Sequence, residues 1–414
     1  MSSVACGPVS RLSTVFVLAL TLALAASACS SGADPTTTTA PTTTAPPTST
    51  SEPPTTTRGV STVTVTGDLP AELLREVSAL YSFVADERND VTTLPPGLVD
   101  SVTGLARMVP STLTATGTTA ELPDGDAVAT VRVGDDAMFA AEDISGWHLV
   151  GAGLDGADVW LGDGPRMLLV LGSDARSGQN QLRYRADSIH VVTVVPDEDA
   201  GAIVGIPRDS WIESSEGTMK FSSLMSGRGP EIMLDTTRDL TGLTIEGYVV
   251  TGFEGFTGLI DTLGRLAIDL PRSMHSGNNW DDFPEGEQEL SPTRALQLAR
   301  IRKGLPRGDF ARSFNQGLIM QAAMAQIQEM GVELLPAFLV ALLENAATDL
   351  STEQLLAWAA SVYFVEPDDL VNVVLPGRTG TAGGGSVVFL DEDGSEEIFR
   401  DLADGVLTPV EDGG

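Results

Sequence analysis

Apolar and polar positions recur at two different periods along the chain, and the periods mark out its elements. Residues 60–66 alternate like a strand, whereas residues 70–86 place Leu73, Leu74, Val77, Leu80, Tyr81 and Val84 at helical spacing. A second helix is expected over 98–108, short strands over 113–116, 128–133 and 138–141, and a hairpin-like return over 146–150. Residues 167–171, 189–195 and 202–206 are three Leu/Val-rich runs of strand length. Beyond them, helices are expected over 230–240, 253–263, 315–330, 333–344 and 353–362. Another follows Ser291, an N-cap with Pro292 at the first helical position. Residues 245–251, 370–375 and 387–390 read as strands, the last two closing the domain around a short helix at 396–402. Alternating strands and helices with antiparallel neighbours predict an α/β fold, a three-layer α/β/α sandwich on a mixed sheet, over residues 161–407. A small α+β module over 59–160 precedes it, and 408–414 form a tail.

The three central runs carry the most informative polar pattern. The link between the first and second holds Gly178, Gln179 and Asn180 and no helical periodicity, so antiparallel pairing is favoured over a crossover. A turn-rich stretch, 196–201, then sends the third run back. In such a meander the exit of run one, the entry of run two and the exit of run three share one sheet edge. Asp174, Arg176, Arg185, Asp187, Arg208 and Asp209 all fall at those ends. Acids interleaved with arginines at one edge suggest metal-assisted phosphate chemistry, although pairs such as Arg185 with Asp187 also suit simple ion pairing.

Composition narrows the setting. The chain has 414 residues and a formal net charge of −33, from 24 basic and 57 acidic residues. So acidic a chain argues against general nucleic-acid binding, which depends on neutralising phosphate. Arg11 precedes an apolar run over 15–26 that is short for a membrane span and ends at Ala26-Ser27-Ala28-Cys29. Residues 1–28 are therefore expected to be a bacterial lipoprotein signal, with Cys29 the lipidated residue. Residues 35–57 are nearly all Thr and Pro, and 29–58 are expected to be an extended, solvated tether. Export and a lipid anchor on the extracytoplasmic face of the cell membrane follow. Cys6 would leave with the signal, so no disulfide supports the fold. His148, beside Trp147, and His190, inside an apolar run, are expected to be structural.

At the charged blocks the pattern becomes specific. Gly172-Ser173-Asp174-Ala175-Arg176, Arg185-Ala186-Asp187-Ser188-Ile189, Ile206-Pro207-Arg208-Asp209-Ser210 and Lys220 resemble the LytR–CpsA–Psr (LCP) family. So do Phe253-Glu254-Gly255-Phe256, Arg300-Ile301-Arg302-Lys303 and the run from Gly308-Asp309 through Arg312 to Gln316. The resemblance implies an exported transferase that takes a glycan from a polyprenyl-diphosphate carrier and joins it to peptidoglycan through a phosphodiester. It implies diphosphate binding by Arg208, Lys220, Arg300, Arg302 and Gln316. Arg185 and Arg312 would orient carboxylates or bind a further phosphate oxygen. It assigns Mg²⁺ to Asp174 and Asp187, and catalysis to Asp174, Asp187 and Arg208. Planar guanidinium groups suit phosphate oxygens, and a hard cation suits carboxylates.

Arg300 and Arg302, two apart, do not share a helix face, so they flank one site only if the chain extends there or the site embraces the helix end. The lipid tail needs an apolar groove, for which Val249, Phe253, Phe256, Leu259, Ile260, Ile319, Met320 and Met324 are candidates. Asn315 and Gly317 depart from the family pattern, which carries Arg and a second Gln there. A non-catalytic lipoprotein that binds polyprenyl-diphosphate glycans, or a pyrophosphatase acting on them, would use the same arginines.

Overall fold

The computed structural model describes residues 60–407 apart from 106, 163, 196–197, 277–279 and 303–304. The expected signal, Cys29, the tether, Lys303 and the tail lie outside the described residues. The first elements are β1 (Thr64–Thr66), α1 (Ala71–Ala85), α2 (Pro96–Val102) and β2 (Thr112–Thr114), with β1 and β2 paired in parallel. The second helix starts before the expected position and stops at Val102, because the chain turns at Gly104, whose φ is +81. Next, β3 (Thr116–Glu121), β4 (Ala127–Val133), β5 (Asp136–Asp143) and β6 (Gly146–Gly153) form an antiparallel meander. Strand alternation sends Ala129, Val131 and Met138 to one face, against Leu73, Val77 and Leu80 of α1. Val128, Phe139 and Ala141 point to the other.

The central sheet begins with β7 (Arg166–Ser173), β8 (Ala186–Val195) and β9 (Ala200–Gly205), the antiparallel meander expected from the sequence. A short pair, β10 (Trp211–Ile212) and β11 (Met219–Lys220), leads to α3 (Phe221–Leu224) and α4 (Glu231–Thr241). Then come β12 (Gly247–Thr251), α5 (Phe253–Thr262), the hairpin β13 (Leu266–Leu270) with β14 (Gly286–Leu290), α6 (Pro292–Arg300) and α7 (Asp309–Met330). After α8 (Leu335–Asn345), β15 (Ala346–Thr348), α9 (Thr352–Tyr363) and β16 (Leu370–Val374), the hairpin β17 (Gly377–Ala382) and β18 (Gly385–Leu390) precedes α10 (Glu392–Asp401). The sheet order is β15-β12-β7-β8-β9-β16, with β12 parallel to β7 and β16 parallel to β9. The last strand of the chain does not close this sheet, as the sequence had suggested. It pairs with glycine-rich β17 instead, touching the core through a bridge from Val388 to Ser210.

Helices cover both faces, which makes the three α/β/α layers. Leu169, Leu171, Val191 and Val204 pack against Phe221, Met233 and Phe399 on one face. Val192, Val194 and Ile203 meet Met324 of α7 and Val362 of α9 on the other. Each such buried aliphatic side chain contributes roughly 1.5–3 kcal/mol. Helices α8 and α9 also cover the β3–β6 sheet, with Leu335, Leu339 and Leu356 against Val128 and Phe139. The described residues form one compact unit, and packing is continuous across residue 160.

Two glycines let α7 lie close to the sheet. A Cβ on Gly205 would come within 2.4 Å of Ser313 Oγ, and one on Gly317 within 2.0 Å of Asn372 Oδ1. Gly317 is therefore a packing requirement of this chain, whose Asn372 Nδ2 donates to Phe314 O at 3.0 Å. Among the described residues no single helix is long and apolar enough to cross a membrane.

Candidate active site

The carboxyl ends of β7, β9, β12 and β16 lie on one edge of the sheet, the side where open α/β sheets place their ligands. Just past β7, Asp174 N donates to Arg185 O at 2.9 Å, and Arg185 N donates to Asp174 Oδ1 at 2.9 Å. This double link ties the exit of β7 to the entry of β8. One step into β8, Asp187 accepts a short hydrogen bond from Arg208, which follows β9. The meander thus brings Asp174, Arg185, Asp187 and Arg208 together. Burial pulls the Arg208 guanidinium down, but Asp187, Asp209 and Asp309 outweigh it and hold its pKa above the ordinary value.

The opposite wall comes from α6 and α7. Helix α6 ends at Arg300, and Ile301 is extended with φ −60 and ψ 129. That change of conformation resolves the spacing problem, since Arg300 and Arg302 both line the same cavity. Arg300 lies 4.4 Å over the ring of Phe253 and 5.8 Å from that of Trp280. Helix α7 begins at Asp309, well before the expected residue 315, so Arg312 sits on its first turn and pairs with Asp309. The Arg312 side chain is only 7% exposed, and burial pushes its pKa down. One turn on, Gln316 Nε2 donates to Ala299 O at 3.0 Å and Asp187 O at 3.4 Å. The Nε atoms of Arg208 and Arg312 are buried and have no hydrogen-bond partner among the described residues. Two neighbouring guanidinium groups with unsatisfied donors suit an anion.

Part of this cluster opens onto a cavity of about 500 Å³. Asp187, Arg300, Arg302, Arg312 and Gln316 line its polar end, and all eight apolar residues singled out from the sequence line the rest. Asp174, Arg185, Arg208 and Lys220 stand outside the lining. Lys220 is held away by Asp209, its Nζ 2.9 Å from Asp209 Oδ1. Asp309 had been assigned no role on sequence grounds. The i,i+3 spacing of Asp309 and Arg312 was the available signal, and it was hidden by starting the helix too late. Asn315 is fully buried, its Nδ2 3.2 Å from Met274 Sδ in the apolar cluster around β13 and β14. His190 is structural, as expected, with Nδ1 3.1 Å from Ser188 Oγ and Nε2 3.1 Å from Ser313 O. Burial lowers its pKa to about 4.

A family model described as the LytR_cpsA_psr family matches residues 152–404. The chain belongs to this family. Within it, the cell wall biosynthesis protein LcpA of Corynebacterium glutamicum is 25% identical over 300 residues, 61% of this chain and 58% of that protein. A polyisoprenyl-teichoic acid–peptidoglycan teichoic acid transferase, TagU of Halalkalibacterium halodurans, is 33% identical over 193 residues, 46% of this chain and 62% of that protein. The chain therefore spans only about three-fifths of the length of these relatives. The crystal structure of B. subtilis TagV superposes with a TM-score of 0.51 at 24% identity, covering 59% of this chain and 99% of that one. It supports the family fold.

Carboxylates of the site offer oxygen donors suited to a hard cation. Asp174 and Asp187 each have one oxygen engaged by a protein donor, and no described residue donates to the other. Among the described residues, the one cluster of three metal-ligating groups lies elsewhere, at Asp143, His148 and Glu353 on the β3–β6 sheet and α9.

Proposed function

We propose that this chain is a phosphotransferase that moves a glycan phosphate from a polyprenyl-diphosphate carrier to a hydroxyl of peptidoglycan. The observation that carries this reading is the continuity of one cavity. It is apolar along its length and ends in Arg300, Arg302 and Arg312, with Arg208 behind Asp187. A polyprenyl diphosphate has the same two-part character. The names of the relatives, a cell wall biosynthesis protein and a transferase of teichoic acid to peptidoglycan, support the reading.

In the transfer, an acceptor hydroxyl oxygen bonds to the glycan-side phosphorus while the bond from that phosphorus to the bridging oxygen breaks. Polyprenyl phosphate leaves, and the hydroxyl proton passes to a carboxylate, Asp174 or Asp187. Arg208, Arg300, Arg302 and Arg312 neutralise the diphosphate and the charge that develops on the leaving oxygen. Gln316 and Arg185 hold Asp187 and Asp174 in place, and Lys220 holds Asp209. Asp174 and Asp187 would hold Mg²⁺, which supplies Lewis-acid stabilisation of phosphate charge when bound. An ion bound by one or two carboxylates plus substrate phosphate needs no third protein ligand. The same reading puts the protein outside the cytoplasmic membrane, anchored through Cys29.

The test supplies purified protein with a synthetic polyprenyl-diphosphate oligosaccharide and a peptidoglycan acceptor, with Mg²⁺ or with a chelator. Transfer is expected with Mg²⁺ only, and Asp187→Ala should lower it at least about 100-fold. No transfer by wild type, with carrier binding that persists in Asp174→Ala, would replace the enzyme with a carrier-binding lipoprotein. Phosphate release without transfer would make it a pyrophosphatase.

A further inference from the structure

A second depression, of about 450 Å³, borders the candidate active site and shares Arg302 with it. Its walls are the segment leading into α7 and the β17–β18 hairpin, which contribute Arg307, Asp309 and Arg378, with Asp209 at its base. The hairpin is fixed to that base, since Val388 N donates to Asp209 O at 2.9 Å. Both acids of the groove are already engaged, Asp209 by Lys220 at 2.9 Å and Asp309 by Arg312. Arg307 and Arg378 are different. Among the described residues neither has a carboxylate within ion-pair distance, and each guanidinium lies over an aromatic ring, Phe310 at 4.7 Å and Phe389 at 5.0 Å.

In a chain of net charge −33, two arginines on one groove that no described carboxylate neutralises leave a local excess of positive charge. Arg307 is also held at φ +58, a left-handed conformation that a non-glycine residue adopts at a cost of roughly 1–2 kcal/mol. Strain retained beside a cavity, in the residue that supplies the charge, points to a ligand rather than to packing.

Resting on the transferase reading, we infer that this groove binds the acceptor, a glycan whose peptide carboxylates pair with Arg307 and Arg378. In-line displacement requires the attacking oxygen to approach from the side opposite the leaving phosphate. The leaving phosphate carries the lipid, and the lipid occupies the apolar cavity on one side of Arg302. The groove meets that cavity at Arg302 without sharing its apolar lining, which leaves it as the entry for the acceptor hydroxyl. An anionic polymer on the donor would offer the same charge chemistry, and the test separates the two.

The full chain is titrated with a soluble disaccharide-tetrapeptide fragment of peptidoglycan, with the same fragment after its carboxyls are methyl-esterified, and with farnesyl diphosphate. The variants are Arg378→Gln and Arg307→Gly. Both positions are exposed, and glycine tolerates the backbone at 307. The double variant should bind the free-acid fragment about tenfold more weakly, matching the loss that esterification causes in wild type. Farnesyl diphosphate affinity should change less than about twofold. In transfer assays the acceptor KM should rise about tenfold with kcat nearly constant.

Unchanged fragment affinity in the double variant overturns the inference. So does a fall in farnesyl diphosphate affinity, or displacement of the fragment by a soluble anionic donor polymer, either of which assigns the groove to the donor. Absence of transfer alongside charge-dependent fragment binding would overturn the transferase reading and leave the groove standing.

Discussion

Asp136 in the β3–β6 sheet and Arg312 at the end of the central sheet are both buried members of arginine–carboxylate groups, yet their surroundings differ. Asp136 is fully buried and accepts from Tyr81 Oη, from Arg107 Nη1 at 2.8 Å and from the Asp155 N–H at 2.8 Å. Burial and Asp136 together hold the Tyr81 hydroxyl protonated far above its ordinary range. Arg312 and Arg208 each engage one oxygen of a partner carboxylate, and among the described residues two of their buried guanidinium nitrogens have no hydrogen-bond partner. Arg166 has a similar orphan nitrogen at the far end of β7, but its other nitrogens are held by Glu246 and by the carbonyls of Leu161 and Gln354, away from the cavity. A closed network of buried charge serves the fold. An open one, with unsatisfied donors beside a cavity, is suited to a ligand.

The largest effect should come from the closed network. Asp136→Ala strands Arg107 and the Tyr81 hydroxyl and should cost about 3–5 kcal/mol of stability, read by denaturant unfolding. Farnesyl diphosphate affinity of the folded fraction should not move; if it fell, the contrast between the two groups would break.

His190 sharpens the comparison from beneath the site, because it is fully buried and fully hydrogen-bonded. Its folded pKa, about 4, lies below the value of about 6.5 in an unfolded chain, so between those values the unfolded state holds the extra proton. Stability should therefore rise with pH across that window and be flat for this group outside it. The loss from pH 7 to pH 4 is roughly 3 kcal/mol. Melting curves across the range should show the slope in wild type and its flattening in His190→Asn.

The smallest effect concerns the apolar walls. Ala323→Phe narrows the cavity and should weaken farnesyl diphosphate about tenfold while leaving inorganic pyrophosphate unchanged. Equal losses for both probes would detach the apolar cavity from the anion site.

Much of this contrast was legible in the chain. The β7–β9 meander and the convergence of Asp174, Arg185, Asp187 and Arg208 follow from apolar runs, turn residues and the absence of a crossover helix. The eight apolar cavity residues follow from the helical faces, and from Val249 on β12, that a lipid ligand would need. Hairpin β13–β14 was missed because every second residue is exposed and several are charged, so its short apolar rows lack a strand's usual weight. Strand β17, Gly-Arg-Thr-Gly-Thr-Ala, offers no apolar row at all. The groove formed with Arg378 was therefore hidden. The sharing of α8 and α9 between two sheets is a tertiary outcome that no local period encodes. Lys220 was read toward the diphosphate, but its contact with Asp209 depends on how β10 and β11 fold back.

The central claim is that the free nitrogens of the buried arginines are ligand donors. Arg312→Lys tests it most directly, since lysine keeps a cation for Asp309 but removes the planar fork and the Nε donor. Calorimetric titration with farnesyl diphosphate, alongside a denaturant curve, should give an affinity about 30-fold weaker with stability changed by less than about 1 kcal/mol. Undiminished affinity with a large fall in stability would contradict the account, because Arg312 would then belong with Asp136 as part of the fold.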